Sequence, residues 1–372
     1  MTTERAFDAG QRFLLTSKVY WTTTLYPRLR DKYLEAAGGK EKQHTVEQVA
    51  AIVENMTLYR YFAWLERHLQ RMKYSGRYGI ANYYEEHRDQ LLSDLGSPSG
   101  NDERLDLRPD LEMPQYYKSV DIHQHPGGVW SRDEAGLVYE YGARSTTPML
   151  GTGHADLHTR FSDLVASQID AKPARILDLG CGFGKSTLPF VTKFSDAKVE
   201  AVDLAGPCLR VGAQTAQSAK VDNVTFRQRN ASETGFEDNQ FGLVTSTMFL
   251  HELPTKVLKD VLQEAYRVLE PGGTMAHLDF YAFPDAFARF MHYGHGRRNN
   301  EPFMQPLAEL DLPKVLKEAG FTAIQISPFQ ESETIGPERV DVWRLPWTVI
   351  SAKKPKQPIQ PKRARARELN HA

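Results

Sequence analysis

Ile176-Leu177-Asp178-Leu179-Gly180-Cys181-Gly182-Phe183-Gly184 decides the reading of this chain. An apolar run enters a turn with glycine at every second position. That is the pattern of a buried strand passing into a loop whose backbone lies against a ligand where any side chain would obstruct it. Nineteen residues after Gly184, Asp203 closes a second apolar run, Val199-Glu200-Ala201-Val202. An acid at about that distance, at the tip of the next strand, is placed to accept hydrogen bonds from ribose hydroxyls. Strand, glycine turn, helix, strand and acid together predict a nucleoside-binding βαβ unit.

The glycine register narrows the nucleoside. A dinucleotide fingerprint needs G-x-G-x-x-G, and Lys185 stands where the third glycine belongs. Gly184-Lys185-Ser186-Thr187 suggests a phosphate-binding loop, but that motif demands a glycine at position 179, which is leucine. Further matches follow in order: Phe241-Gly242-Leu243-Val244-Thr245-Ser246, then Phe249-Leu250-His251-Glu252-Leu253, then Arg267-Val268-Leu269-Glu270-Pro271-Gly272-Gly273, and finally Ala319-Gly320-Phe321. Between them, apolar residues recur at helical spacing over 257–269. This ordered set, over about 172 to 352, resembles the motifs of class I S-adenosylmethionine-dependent methyltransferases, nearest to the quinone and secondary-metabolite type. The fold it implies is α/β, a Rossmann-like, mostly parallel seven-stranded sheet, here with an N-terminal, mainly helical domain.

The resemblance implies S-adenosylmethionine as cofactor and assigns its contacts. Asp178 and the backbone of Gly180, Gly182 and Gly184 surround the amino-acid and ribose portions, Asp203 holds the ribose hydroxyls, and Leu204 packs beside the adenine. Asn230-Ala231-Ser232 stands at the end of the third strand, where the family often has an aspartate facing the adenine amine; asparagine still offers an acceptor. Gly242 is a second departure, since Phe-Asp is more usual there.

Composition sets broad bounds. A chain of 372 residues suggests two domains, and 46 basic against 47 acidic residues leave a net charge of -1, which points to no charged partner. Cys181 and Cys208, the only cysteines, have neither metal nor redox spacing and fit a reducing compartment. The N-terminus, with Glu4, Arg5 and Asp8, has no apolar core of signal-peptide type, and no run approaches 18 apolar residues. A soluble cytoplasmic protein with no membrane insertion is expected.

The chain divides into a helical domain over 1–150, a methyltransferase domain over 151–352 and a basic, disordered tail over 353–372. Thr45 with Gln48 is a capping-box signal opening an apolar stripe from Val46 to Phe62, and a further helix covers 81–95 before the loop at 96–100. Thirteen of the 16 tyrosines precede residue 151, with Trp21, Trp64 and Trp130. Such rings line an acceptor pocket, form a homodimer interface or build the domain's own core. His123-x-His125, if on a strand, points both rings to one face, and His154 and His158 share a helix face. No Cys or Glu-x-x-His pattern supports a metal, and none is expected; the 116–150 segment, with Tyr139 and Tyr141, is instead read as covering the cofactor mouth.

Methyl transfer is chiefly in-line positioning of a nucleophile. If the nucleophile carries a proton, His251 is the first candidate base, because it follows the fourth strand and titrates near neutrality. Its alternative role is to cap the following loop. Glu252 and Asp279, the latter at the end of the fifth strand, are further candidates. Arg297 and Arg298 lie in an insert placed to clamp an acidic acceptor or to form a solvated loop. The tail carries seven basic residues but no interleaved aromatics, which argues against nucleic acid. The expected activity is methyl transfer to a small-molecule acceptor, at oxygen first, with nitrogen, sulfur and carbon acceptors left open. The alternatives are an RNA or protein methyltransferase docking through the tail, and a non-catalytic cofactor-binding partner protein.

Overall fold

A computed structural model describes residues 2–95, 103–143 and 155–356. His154, the 96–100 loop, the division near residue 150 and the tail from 357 lie outside the described residues. Among the described residues there are eight strands: β1 (Leu105–Asp106), β2 (Arg175–Leu179), β3 (Lys198–Asp203), β4 (Val224–Gln228), β5 (Phe241–Thr247), β6 (Leu269–Phe280), β7 (Thr322–Pro328) and β8 (Trp347–Lys353). They form one sheet in the order β1-β4-β3-β2-β5-β6-β8-β7. All neighbours are parallel except that β8 runs antiparallel to β6 and β7. Seven of the strands are those the sequence predicts. The eighth, β1, is a two-residue edge strand from the N-terminal half, too short to show periodicity. It is fixed by Asp106, which accepts from Arg227 at 2.9 Å and Arg229 at 2.6 Å.

Strand order reverses between β2 and β5, so the crevice beyond their carboxyl ends is where such a sheet binds its ligand. Side-chain alternation along β2 builds both layers. Ile176 joins the core under helices Ala155–Gln168, Thr187–Lys193 and Gly206–Ser218, while Leu177 and Leu179 join the opposite core under Thr255–Val268 and Leu312–Glu318. The Gly242 departure has a steric account: a Cβ there would lie 2.9 Å from Pro173 Cβ.

The N-terminal helices share a third core with Phe287, Phe290 and Met291 of helix Ala286–Asn299, the insert after β6. Thr45 caps Val46–Val53 with the expected box, Thr45 N–H donating to Gln48 Oε1 at 2.8 Å. The apolar stripe does not run through as one helix. Asn55 Nδ2 bonds Ala51 O at 2.8 Å, Met56 turns extended, and Thr57–Tyr74 starts afresh. The 81–95 helix likewise divides at His87 into Ile80–Glu86 and Arg88–Leu95. Trp21, Tyr26, Tyr33, Tyr59 and Phe62 are buried in this core, whereas Phe13, Tyr20, Tyr61, Trp64 and Tyr78 are exposed. Lys353 and Lys354 are part of the fold rather than of a tail: Lys353 ends β8, and Lys354 Nζ donates to Tyr266 O and Leu269 O at 2.8 Å. No described helix is long and apolar enough to cross a membrane.

Candidate functional site

A large cavity opens at the β2–β5 switch point and is roofed by the N-terminal half. Its floor includes Gly180, Cys181, Gly182, Asp203, Leu204, Asn230, Ala231, Thr247, His251 and Glu252; its roof includes Trp21, Leu69, Lys73, Tyr74, Tyr116, Tyr117, Trp130 and Tyr139. Tyr116, Tyr117, Trp130 and Tyr139 of the 116–143 segment line this cavity, whereas Tyr141, expected beside them, packs instead against Phe7 and Tyr84.

The glycine turn is bent by need. Gly180 has φ +66, and a Cβ there would sit 2.3 Å from the Phe249 ring. At Gly182, φ +53, the nearest atom to such a Cβ is Tyr139 Cε1 at 3.8 Å, so the bare backbone is approachable from the cavity. Gly180→Ala combines a left-handed alanine with an overpacked ring. We expect it to lower stability by about 2–4 kcal/mol in urea unfolding, whereas a loss below about 0.5 kcal/mol would mean that Phe249 yields freely.

Asp203 ties the turn to the next strand. Its Oδ2 accepts from Gly182 N at 2.8 Å and its Oδ1 from Ala205 N at 2.8 Å, leaving one lone pair on each oxygen for a diol. Burial pushes its carboxyl up to about 6 against the pull of those N–H groups. Behind this wall lies Asp178, 1% exposed, accepting from Thr187 Oγ1 at 2.6 Å, with burial driving it up to about 7. It reaches Thr187 and the turn's underside rather than the cavity face. Gly184 is likewise behind the wall, against Phe226. Asn230 lines the wall, but its Oδ1 already accepts from Ser232 N at 3.1 Å and Ser232 Oγ at 2.9 Å. It therefore offers its NH2 group outward, not the acceptor that the sequence reading assigned to it.

Beyond β5 the site becomes ionic. His251 Nδ1 bonds Asp279 Oδ1 at 2.7 Å, which fixes the tautomer with the proton on Nδ1. Nε2 makes no hydrogen bond among the described residues and lies 3.7 Å from Glu301 Oε2. Burial opposes its charge, but Asp279, with Glu252 and Glu301 behind it, raises the imidazole overall. Asp279 is fully buried and also accepts from Phe249 N at 3.0 Å, Leu250 N at 2.7 Å and Phe280 N at 2.8 Å. A carboxylate so occupied orients His251; no lone pair faces the cavity for base catalysis. Those donors and His251 hold it below the usual carboxylate range despite burial.

Glu301, from the segment after the insert helix, is the centre that the sequence did not reveal. His123 Nδ1 stands 3.3 Å from its Oε1, and His295 Nε2 3.8 Å. His123 Nε2 meets Glu252 Oε1 at 3.3 Å. Burial notwithstanding, the imidazoles draw Glu301 down to about 2, and the two carboxylates lift His123 to about 9. His123 sits not on a strand but in a 3-10 turn, at φ +57 and ψ +17, with Gln124 also at φ +58. This conformation, which costs about 1–3 kcal/mol per residue, is held by Gln70 Nε2 to His123 O at 2.8 Å and Gln124 Nε2 to Arg298 O at 2.7 Å. His125 faces elsewhere, against Tyr74 at 5.1 Å, and burial lowers it to about 4. No group of three or more His, Cys, Asp or Glu able to hold a metal occurs among the described residues. Arg298 pairs with Glu66 and Arg297 is exposed, so neither clamps a ligand here.

Residues 176–273 match the model of a family described as a methyltransferase domain. The chain is 36% identical over 111 residues to a demethylmenaquinone methyltransferase of Lactiplantibacillus plantarum, covering 29% of this chain and 46% of that protein. It is 31% identical over 128 residues to 27-O-demethylrifamycin SV methyltransferase of Amycolatopsis mediterranei, covering 34% and 46%. It is 30% identical over 172 residues to an uncharacterised methyltransferase of Synechocystis sp., covering 45% and 76%. The chain thus spans under half the length of the first two relatives, and most of the roof lies outside the family match.

Proposed function

Because the chain belongs to the class I S-adenosylmethionine-dependent methyltransferases, we propose that it is an enzyme that methylates a small aromatic or polycyclic acceptor at oxygen, held beneath the N-terminal roof. The observation that carries this reading is one cavity whose floor is the glycine turn with Asp203 and whose roof is aromatic. Bound S-adenosylmethionine supplies an electrophilic methyl group on its sulfonium. Asp203 would hold the ribose hydroxyls on its remaining lone pairs, Gly180 and Gly182 would offer bare backbone, and Leu204 with Ala231 would flank the base. Asp178 acts one step back, holding Thr187 and the turn.

His251 Nε2 would receive the proton of the acceptor's hydroxyl, and Asp279 would stabilise the resulting imidazolium. Glu252 pairs with His123 and so ties the roof to the floor. The names of the relatives favour the acceptor class: one is a demethylmenaquinone methyltransferase and one a 27-O-demethylrifamycin SV methyltransferase. We place the protein in the cytoplasm and leave a homodimer as the assembly to test.

Calorimetric titration with S-adenosylmethionine and S-adenosylhomocysteine tests the cofactor part. Saturable binding is expected, weakened at least ~100-fold in Asp203→Ala, since two charge-assisted hydrogen bonds and the anchoring of Gly182 are removed together. A folded protein that binds neither ligand would sink the enzyme reading and favour a scaffold or partner role.

A further inference from the structure

Helix Thr57–Tyr74 turns one face from core to cavity as it proceeds. Tyr59 and Phe62 pack in the helical core, and then Glu66, Gln70 and Lys73, at helical spacing, enter the cavity wall. All three polar side chains are buried, and two are satisfied by protein. Glu66 accepts from Arg298, His295 and Asn299. Gln70 accepts from Lys18 Nζ at 3.3 Å and donates to His123 O at 2.8 Å. Lys73 is different. It is 2% exposed and lines the cavity, yet its ammonium makes no hydrogen bond or ion pair among the described residues. Its recorded contact is the Tyr74 ring, 4.8 Å from Nζ to the centroid.

A buried lysine without an acceptor is costly to keep charged, and an apolar side chain of similar length would fill the same space. Burial and the neighbouring Lys18 lower its amine well below the ordinary range, with Glu301 opposing. Neither of the two arginines that the sequence offers for an acidic ligand lines this cavity: Arg298 pairs with Glu66 and Arg297 is exposed. The cavity that Lys73 lines also has Trp21, Tyr74 and Trp130 in its wall.

We propose that Lys73 is a substrate-recognition residue, which receives a carboxylate or other anionic oxygen of an aromatic acceptor, so that the substrate class is an aromatic acid rather than a neutral phenol. This rests on the methyltransferase reading and adds the acceptor's charge to it. The ligand supplies the missing acceptor, and in its presence the lysine is retained as ammonium. Aromatic walls hold the ring system, and the anion fixes which end enters.

The test uses the full chain saturated with S-adenosylhomocysteine and matched probes, 1-hydroxy-2-naphthoate against 1-hydroxy-2-naphthamide, with binding read by calorimetry. Wild type is expected to prefer the acid by roughly 10- to 100-fold, the worth of one charge-assisted hydrogen bond. Lys73→Met should abolish the preference while binding S-adenosylhomocysteine as wild type does and melting no lower. Lys73→Gln is the second variant should the first fail to fold, and the wild-type comparison stands without either. Equal affinity for the two probes, no binding of the acid, or a preference that survives in the variants would overturn the proposal. S-adenosylhomocysteine binding without acid preference sinks this inference alone, whereas acid preference without S-adenosylhomocysteine binding sinks the methyltransferase reading and leaves Lys73 as an anion site.

Discussion

Replacing His251 by glutamine is expected to lower kcat about 10²–10⁴-fold while leaving the affinity for S-adenosylmethionine unchanged. Glutamine keeps a polar group of similar reach but cannot take a proton. The ring is held by Asp279 at 2.7 Å, lines the cavity wall, and has an Nε2 that makes no hydrogen bond among the described residues, 3.7 Å from Glu301 Oε2, the arrangement in which an orienting carboxylate sharpens an imidazole base. The pH profile separates this role from a structural one. Because the imidazole is raised above its ordinary 6.5, the neutral, active form is lost as pH falls, beginning above 6.5. The acid limb of kcat/KM should therefore lie on the alkaline side of that value and be absent from the residual activity of the variant. A variant that loses rate but keeps the limb would place the titrating group elsewhere. A variant that loses cofactor affinity too would make His251 part of the cap after β5.

The central sheet was legible because its signals are local. Glycines at 180, 182 and 184, an acid at 203 and a proline-glycine-glycine turn at 271–273 each fix backbone geometry within a few residues. The floor of the cavity was legible on the same grounds. The ionic cluster was not. Glu301, His123 and His295 are brought together from the insert and the roof across 178 residues of chain, and no spacing rule connects them. The His123-x-His125 pattern suggested a common face only under the assumption of a strand. Two successive left-handed residues turn the rings apart instead. Lys73 was hidden for a related reason: in sequence it is one more cation near a helix end, where lysine is normally solvated, and only burial makes it unusual. Asp178 and Asp279 illustrate the converse. Both stand at strand ends, where ligand-contacting acids occur, but one is bound to Thr187 and the other to His251 and three backbone N–H groups. Sequence position gave the strand end; it did not give which way the carboxylate is committed.

Glu301→Gln is expected to destabilise the protein by about 3–5 kcal/mol near pH 5.5, because it leaves three imidazoles clustered about an uncharged amide. The dependence on pH identifies the cause. Glu301 falls to about 2 from its ordinary 4.5 in the folded protein, so its contribution is complete above 4.5 and lost only as pH descends through about 2. His123 rises to about 9 from 6.5, so its contribution is complete below 6.5 and lost as pH climbs through about 9. Both are whole between 4.5 and 6.5, and there the difference between wild type and variant should be greatest. Above pH 9 the imidazole is neutral, the carboxylate has lost its main partner, and an amide serves nearly as well. Urea unfolding at pH 5.5 and 9.5 should show the destabilisation falling by at least about half between the two. An equal loss at both would mean that Glu301 is held by packing rather than by charge. The same result would remove the reason for the strained turn at His123, since that conformation persists only where its surroundings over-determine it. His123 of the roof meets Glu301 and Glu252 at 3.3 Å each, so the stability measurement also reports whether the cavity is closed by electrostatics.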